Sequence, residues 1–218
     1  MNGEGRIMRY RYTAIGDSLT TGFGALPGNG FVPVYSRMAE ARLRSKVVYT
    51  NLGVNGLTTG ELEQRLRGNS MYRQALQEAD LITLSIGGND LIRAAKSSAG
   101  QQGSTPVVLR KALQECQKNF DGIMGTLWQL KRNSASPYII RIVGLYNPYP
   151  RLDEASNWVM QFNRHASQYN SRSCGFASIY NSFAGNEREL LFLDHIHPNK
   201  RGYYVIAEKL NHLGYGML

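Results

Sequence analysis

The sequence predicts an α/β fold: a three-layer α/β/α sandwich built on a parallel sheet of about five strands, as a single domain over 1–218. Three observations lead there. Five short apolar runs recur along the chain, the segments between them repeat apolar residues at helical spacing, and several of the runs break off in glycine and small polar residues. At 218 residues, 42% hydrophobic and 19% charged, the chain is of globular composition and long enough to bury a core without metals or disulfides.

The first run, Tyr10 to Ile15, places Tyr10, Tyr12 and Ala14 on one face and stops at Gly16. A glycine-rich stretch, "TGFGALPGNG", follows. Further strands are expected at Val47 to Leu52, Leu81 to Ile86, Tyr138 to Leu145 and Phe176 to Tyr180. A long amphipathic helix is expected over Pro106 to Arg132, with Leu109, Leu113, Cys116, Phe120, Ile123, Leu127 and Leu130 inward. Another runs from Glu154 to Tyr169 with Ala155, Trp158, Val159, Phe162 and Ala166 on one side, and a last helix opens near Asn199. "KSSAGQQGSTP", 96–106, is polar and small and reads as a loop, placed as a flap near the site.

Composition excludes several classes of function. No run of about 18 apolar residues is present to span a membrane, and the first residues lack the pattern of a secretory signal peptide. Cys116 and Cys174 allow at most one disulfide and favour two reduced thiols, as in a cytoplasmic protein, with Cys116 an inert core thiol. The net charge of +9 is scattered over helix faces with no basic and aromatic groove, so a nucleic-acid partner is not expected; a preference for anionic lipid surfaces is. No His/Cys cluster has metal-ligand spacing, so neither a metal nor a cofactor is expected. The glycine-rich stretch contains neither G-x-G-x-x-G nor G-x-x-x-x-G-K-[ST], which argues against a nucleotide- or phosphate-binding module.

Four separate segments deliver polar residues for which a core has no use: Gly16-Asp17-Ser18-Leu19, Asn51 to Gly56, Gly87-Gly88-Asn89-Asp90 and Asp194-His195-Ile196-His197-Pro198. Singly, each is a cap or a turn. Together they supply a hydroxyl, an imidazole, a carboxylate, a side-chain amide and glycine N–H groups, the parts needed for acyl transfer through a serine.

In order and spacing, "GDSL", "NLGVNG", "GGND" and "DHIHP" resemble the four sequence blocks of the GDSL or SGNH hydrolases, over nearly the whole chain. The resemblance implies a flavodoxin-like SGNH fold and an esterase or lipase. It implies Ser18 as nucleophile, His197 as base, Asp194 as the partner of that base, and an oxyanion hole made of Ser18, Gly56 and Asn89. Asp17 and Asp90 are expected to brace turns, and His195, His165 and His212 to stand outside the chemistry. "LYNPYP", "FNRH" and "RGYYVIAEKL" resemble the spore-germination lipases of bacilli within that family, which implies a lipid ester and a spore-associated or cytoplasmic place. Phe23, Leu26, Phe31 and Val32 around the glycine-rich stretch are expected to line an acyl groove. Carbohydrate or peptidoglycan O-acetylesterase and thioesterase are the alternatives within the family, and the oligomeric state is left open.

Overall fold

The computed structural model describes residues 9–98, 105–149 and 153–218. Five strands, β1 (Arg9–Gly16), β2 (Lys46–Gly53), β3 (Leu81–Ser85), β4 (Ile139–Val143) and β5 (Cys174–Ala177), form one sheet in the order β2-β1-β3-β4-β5, and every pairing is parallel. The ten helices assigned are α1 (Ser18–Thr21), α2 (Phe31–Leu43), α3 (Thr59–Gly68), α4 (Ser70–Glu78), α5 (Gly88–Ser98), α6 (Thr105–Lys131), α7 (Asp153–Ser167), α8 (Tyr180–Phe183), α9 (Glu187–Leu190) and α10 (Lys200–His212).

Strand periodicity divides the core into two. Ile15, Ile82, Leu84, Ile140 and Ile142 face the layer of α3, α4, α5, α6 and α7, where Leu62, Leu76, Leu113, Phe120 and Phe162 are buried. Tyr12, Ala14, Leu81, Ile139 and Val143 face the opposite layer, packed by Phe31 and Tyr35 of α2 and Tyr203, Ile206 and Leu210 of α10. Within this second core Tyr12 satisfies its hydroxyl on Thr83 at 2.8 Å, so a polar residue in the middle of β3 is paired.

The expected strands lie where the sequence placed them, with one end moved substantially. The fifth spans Cys174–Ala177 rather than Phe176 to Tyr180. Its ladder runs against β4 only from Ile140 to Val143, so beyond Ala177 it has no partner; Ile179 turns into the second core and Tyr180 opens α8. Helix α6 carries the expected stripe, and Cys116 is a free, fully buried thiol whose burial raises its pKa. The ends of 96–106 belong to α5 and α6, and its middle, 99–104, lies outside the described residues.

The strand order fixes where a site can form. After β1 the chain adds β2 on one side and then crosses to place β3 on the other, so the carboxyl ends of β1 and β3 flank the switch point. Gly16 makes that junction possible. Its φ is +144°, and a Cβ there would lie 2.0 Å from the Ser85 carbonyl oxygen and 2.7 Å from the side-chain oxygens of Ser85 and Thr20. Gly16→Ala is therefore expected to cost about 3 kcal/mol or more, from overlap and backbone strain together; urea unfolding of the purified variant, if it folds at all, measures the loss.

Candidate active site

The chain leaves β1 directly into the first turn of α1. Asp17 caps that turn, its Oδ1 accepting from the Leu19 N–H at 3.0 Å and from the Ser85 hydroxyl at 3.1 Å, while its own N–H donates to the Ser85 carbonyl. Thr20 completes the knot by bonding Ser85 Oγ at 2.6 Å. Ser18 is held between these contacts, buried, with its N–H among the donors that a helix's first turn leaves free.

His197 arrives from the far end of the sequence. His197 Nε2 lies 2.9 Å from Ser18 Oγ, and His197 Nδ1 lies 2.6 Å from Asp194 Oδ2. With Nδ1 donating to the carboxylate, Nε2 is the ring nitrogen left to accept a proton from Oγ. Asp194 Oδ1 is occupied as well, by the N–H groups of Ile196 and His197 at 3.0 Å each. Burial pushes the Asp194 carboxyl up, but the hydrogen bonds from the His197 ring and these two N–H groups outweigh it and hold the pKa below the usual carboxylate value. His195 takes the left-handed conformation, φ 57°, and its side chain has no partner among the described residues.

Asn89, in the first turn of α5, faces the same cleft as Ser18 and His197. One of its two amide N–H groups is spent on the Leu57 carbonyl at 3.0 Å, which leaves the other free. Gly56 follows β2 in a tight turn with φ 76°, closed by the Leu57 N–H to the Val54 carbonyl, and it does not itself line the cleft. Three residues of α5 grip this turn and the start of α3. Asn89 holds Leu57, Asp90 accepts from the Thr59 N–H and hydroxyl, and Arg93 donates to the Gly56 carbonyl at 2.8 Å while pairing with Glu61.

The cleft measures about 230 Å³. Its walls are mostly apolar: Leu91 and Ile92 of α5, Leu145, Tyr146, Pro148 and Tyr149 after β4, and Val159 of α7. The expected lining from the glycine-rich stretch is not found. Phe31 and Val32 are fully buried in the second core, and Leu26 projects into solvent. Phe23 alone of the four lies against a residue of the relay, its ring centroid 4.5 Å from that of His197.

A model described as the GDSL-like lipase/acylhydrolase family matches residues 14–205. The chain belongs to this family. It is 36% identical over 213 residues to the spore germination lipase LipC of Bacillus licheniformis, covering 97% of this chain and 99% of that one. It is 26% identical to the uncharacterized protein YpmR of Bacillus subtilis, covering 90% and 78%. Among solved structures, the lipase Lip_vut3 from a goat rumen metagenome superposes with a TM-score of 0.88 at 35% identity, covering 94% and 98%. Axe2, an acetylxylan esterase from Geobacillus stearothermophilus, does so with a TM-score of 0.66 at 18% identity, covering 93% of each, a likeness of fold alone.

As a GDSL hydrolase the chain is a carboxylic ester hydrolase. Several residues around its site are silent in the sequence blocks. Arg93 is four residues beyond Asn89, so helical spacing could have flagged it. The Thr20–Ser85–Asp17 knot joins residues 65 and more apart and leaves no local signal. Tyr146 steadies the histidine loop from across the cleft, its hydroxyl donating to the Ile196 carbonyl at 2.5 Å. His165 is paired with Asp121, as is Tyr169, on the outer surface of α6 and α7 rather than at the cleft.

Burial raises the Asp17 pKa to about 7, against about 3.9 for an unfolded aspartate. A carboxyl with a raised folded pKa favours the folded state at low pH, and stability falls as pH rises from about 4 to about 7. Asp17→Asn keeps a capping side chain without the titration. The stability of the wild type relative to this variant is expected to decline across that window, by up to about 4 kcal/mol, and then to level off. Paired urea titrations at pH 4.5, 6 and 8 measure it; a constant difference would refute the assignment.

Proposed function

We propose that the chain, as one domain over 1–218, hydrolyses acyl esters of lipids through an acyl-enzyme on Ser18. The observation that carries this reading is the unbroken relay from Asp194 through His197 to Ser18 Oγ, ending at the floor of an apolar cleft. His197 Nε2 takes the hydroxyl proton as Oγ adds to the ester carbonyl. The negative charge that forms on the carbonyl oxygen is met by the N–H of Ser18, the N–H of Gly56 and the free amide proton of Asn89. The C–O bond to the alcohol then breaks, and His197 returns its proton to the leaving oxygen. Water repeats the sequence and frees the acid. Asp194 keeps the imidazole in the productive tautomer and offsets its charge when protonated. Arg93 and Asp90 act by position, holding the turn of Gly56 against α5.

The lipid substrate is supported by the cleft walls and by the likeness to a spore germination lipase, which also supports germination as the setting and the spore or cytoplasm as the place. No described helix is long and apolar enough to cross a membrane. Contact with anionic lipid, suggested by the +9 charge, belongs to the same reading.

Ser18→Ala and His197→Ala are each expected to lower kcat by about 10⁶-fold, leaving only the residual rate that the oxyanion donors and binding supply, whereas Asp194→Asn keeps more activity because the base remains. Asn89→Ala is expected to lower kcat about 10²- to 10³-fold with KM little changed, since its free proton meets charge only in the transition state. Steady-state kinetics on a butyryl ester separate these cases, and an Asn89 effect confined to KM would make it a substrate-binding residue instead.

Chain length tests the substrate class. Each buried CH₂ of an acyl chain contributes up to about 0.8 kcal/mol, so kcat/KM is expected to climb from acetyl to octanoyl esters. A steep preference for acetyl groups, with acetylated glycan processed and phospholipid untouched, would overturn the lipid reading and leave the serine mechanism intact.

A further inference from the structure

Leu193 and Leu26 are the most exposed large apolar side chains among the described residues, at 84% and 77%. Both belong to the loops that carry the reacting residues. Leu26 follows Ser18 and α1, and Leu193 immediately precedes Asp194. The two loops pack against each other: a Cβ placed on Gly24 would lie 3.2 Å from Phe192 Cβ and 3.0 Å from the Pro198 carbonyl. Phe23, Phe192 and Tyr149 are also partly exposed, the first lying on His197 and the last at the cleft wall. An apolar residue standing alone on a surface is ordinary. A group gathered on two touching loops beside one catalytic cleft marks an interaction surface.

The charges nearby select the partner. Arg37 donates to the Gly28 carbonyl in the Leu26 loop, and Lys200 and Arg201 open α10 just past Pro198. Glu189 approaches Arg201 at 3.7 Å, and Asp194 is engaged with His197, which leaves Arg37 and Lys200 without a carboxylate within ion-pair distance among the described residues. Leucines that project from loops which also carry exposed aromatics, with unpaired cations on the same segments, suit insertion into an anionic lipid layer, where the apolar tips enter the acyl region and the cations meet the headgroups.

We infer that Leu26 and Leu193, backed by Phe23 and Phe192, dock the enzyme on an anionic lipid bilayer with the cleft mouth turned toward it. This rests on the lipid-ester reading and adds the surface through which such a substrate is met. Docking raises the local concentration of ester at the cleft without altering the chemistry, so it moves binding to the aggregate and leaves turnover of a dissolved ester alone.

The test is co-sedimentation of the full chain with vesicles of phosphatidylglycerol and phosphatidylcholine, and with vesicles of phosphatidylcholine only. The wild type is expected to partition onto the anionic vesicles, less so at high salt or on the neutral ones. Leu26→Ser with Leu193→Ser is expected to lower that partitioning at least tenfold, and Met at both positions to restore it. Hydrolysis of a water-soluble butyryl ester by the Leu26→Ser variant is expected to stay within twofold of wild type, and an unchanged thermal melt of the double variant shows that it is folded. Absence of wild-type partitioning, or undiminished partitioning of the double variant, would overturn the proposal. So would a wild-type dimer that the substitutions dissociate, since a second copy would then cover the surface. Wild type that binds vesicles and cleaves no lipid ester, dispersed or aggregated, would overturn the lipid-ester reading but not the docking. Cleavage of dispersed octanoyl ester without any vesicle binding would do the reverse.

Discussion

The ends of β1 and β3 meet more closely than two strands carrying side chains could, and the rest of the site depends on that approach. With no Cβ on Gly16, Ser85 can set its carbonyl against the Asp17 N–H and its hydroxyl between Asp17 and Thr20. A buried carboxyl, two hydroxyls and a backbone turn satisfy one another there, in surroundings where any of them left unpaired would be costly. Ser18 is rigid because its neighbours on both sides are committed to this knot. The position of Ser18 is thus a consequence of sheet packing, and the burial that secures it also lifts the Asp17 pKa to about 7.

Bringing His197 across 179 residues of sequence needs a second anchor. The loop that carries it is closed on itself by the Leu191–Pro198 bridge and by Phe192 N–H to the His197 carbonyl at 2.7 Å. Asn199 does double duty. Its amide donates to the carbonyls of Glu189 and Leu191, and its Oδ1 caps α10 through Arg201 and Gly202. Tyr203 of that helix then donates to the Phe23 carbonyl at 2.6 Å, so α10 ties the histidine loop to the loop following the serine. The relay between Asp194, His197 and Ser18 is short because both loops hang from the same helix.

What the sequence made legible was whatever repeats or clusters locally. Short apolar runs marked five strands, and the helical stripe from Leu109 to Leu130 marked α6. Ser18, Asn89, Asp194 and His197 stood out as polar residues for which a core has no use, and the structure brings Ser18, Asn89 and His197 to one cleft, with Asp194 bonded behind His197 and Gly56 in the adjoining turn. The boundary of β5 was not legible, since Phe176 to Tyr180 is as apolar as a strand and only the length of β4 decides where the ladder stops. The cleft walls were misplaced for a related reason. Phe31 and Val32 are near Ser18 in sequence, but the first turn of α2 points them into the core, whereas Leu145, Tyr146 and Val159 come from segments far along the chain.

Helix α5 shows why chemistry and specificity in this fold are not independent. Asn89, Ile92 and Lys96, spaced by three and four residues, form a stripe along the cleft; Asp90 and Arg93 form a second toward Gly56 and Thr59; Leu91 and Ala94 form a third in the core. One helix therefore carries an amide proposed for the oxyanion, the clamp on the Gly56 turn proposed for the same role, and part of the cleft wall. A substitution at Ile92 that reshapes the wall by shifting the helix also moves Asn89 and the Arg93 grip on Gly56. Of the walls contributed after β4 and by α7, Pro148, Tyr149 and Val159 have no hydrogen bond to Ser18, Asn89 or Gly56 among the described residues, whereas Tyr146 is bonded to the Ile196 carbonyl beside His197. On the proposed mechanism, changes of acyl preference that spare the rate are thus to be sought at Pro148, Tyr149 and Val159, and changes made on α5 are expected to carry a cost in the transition state.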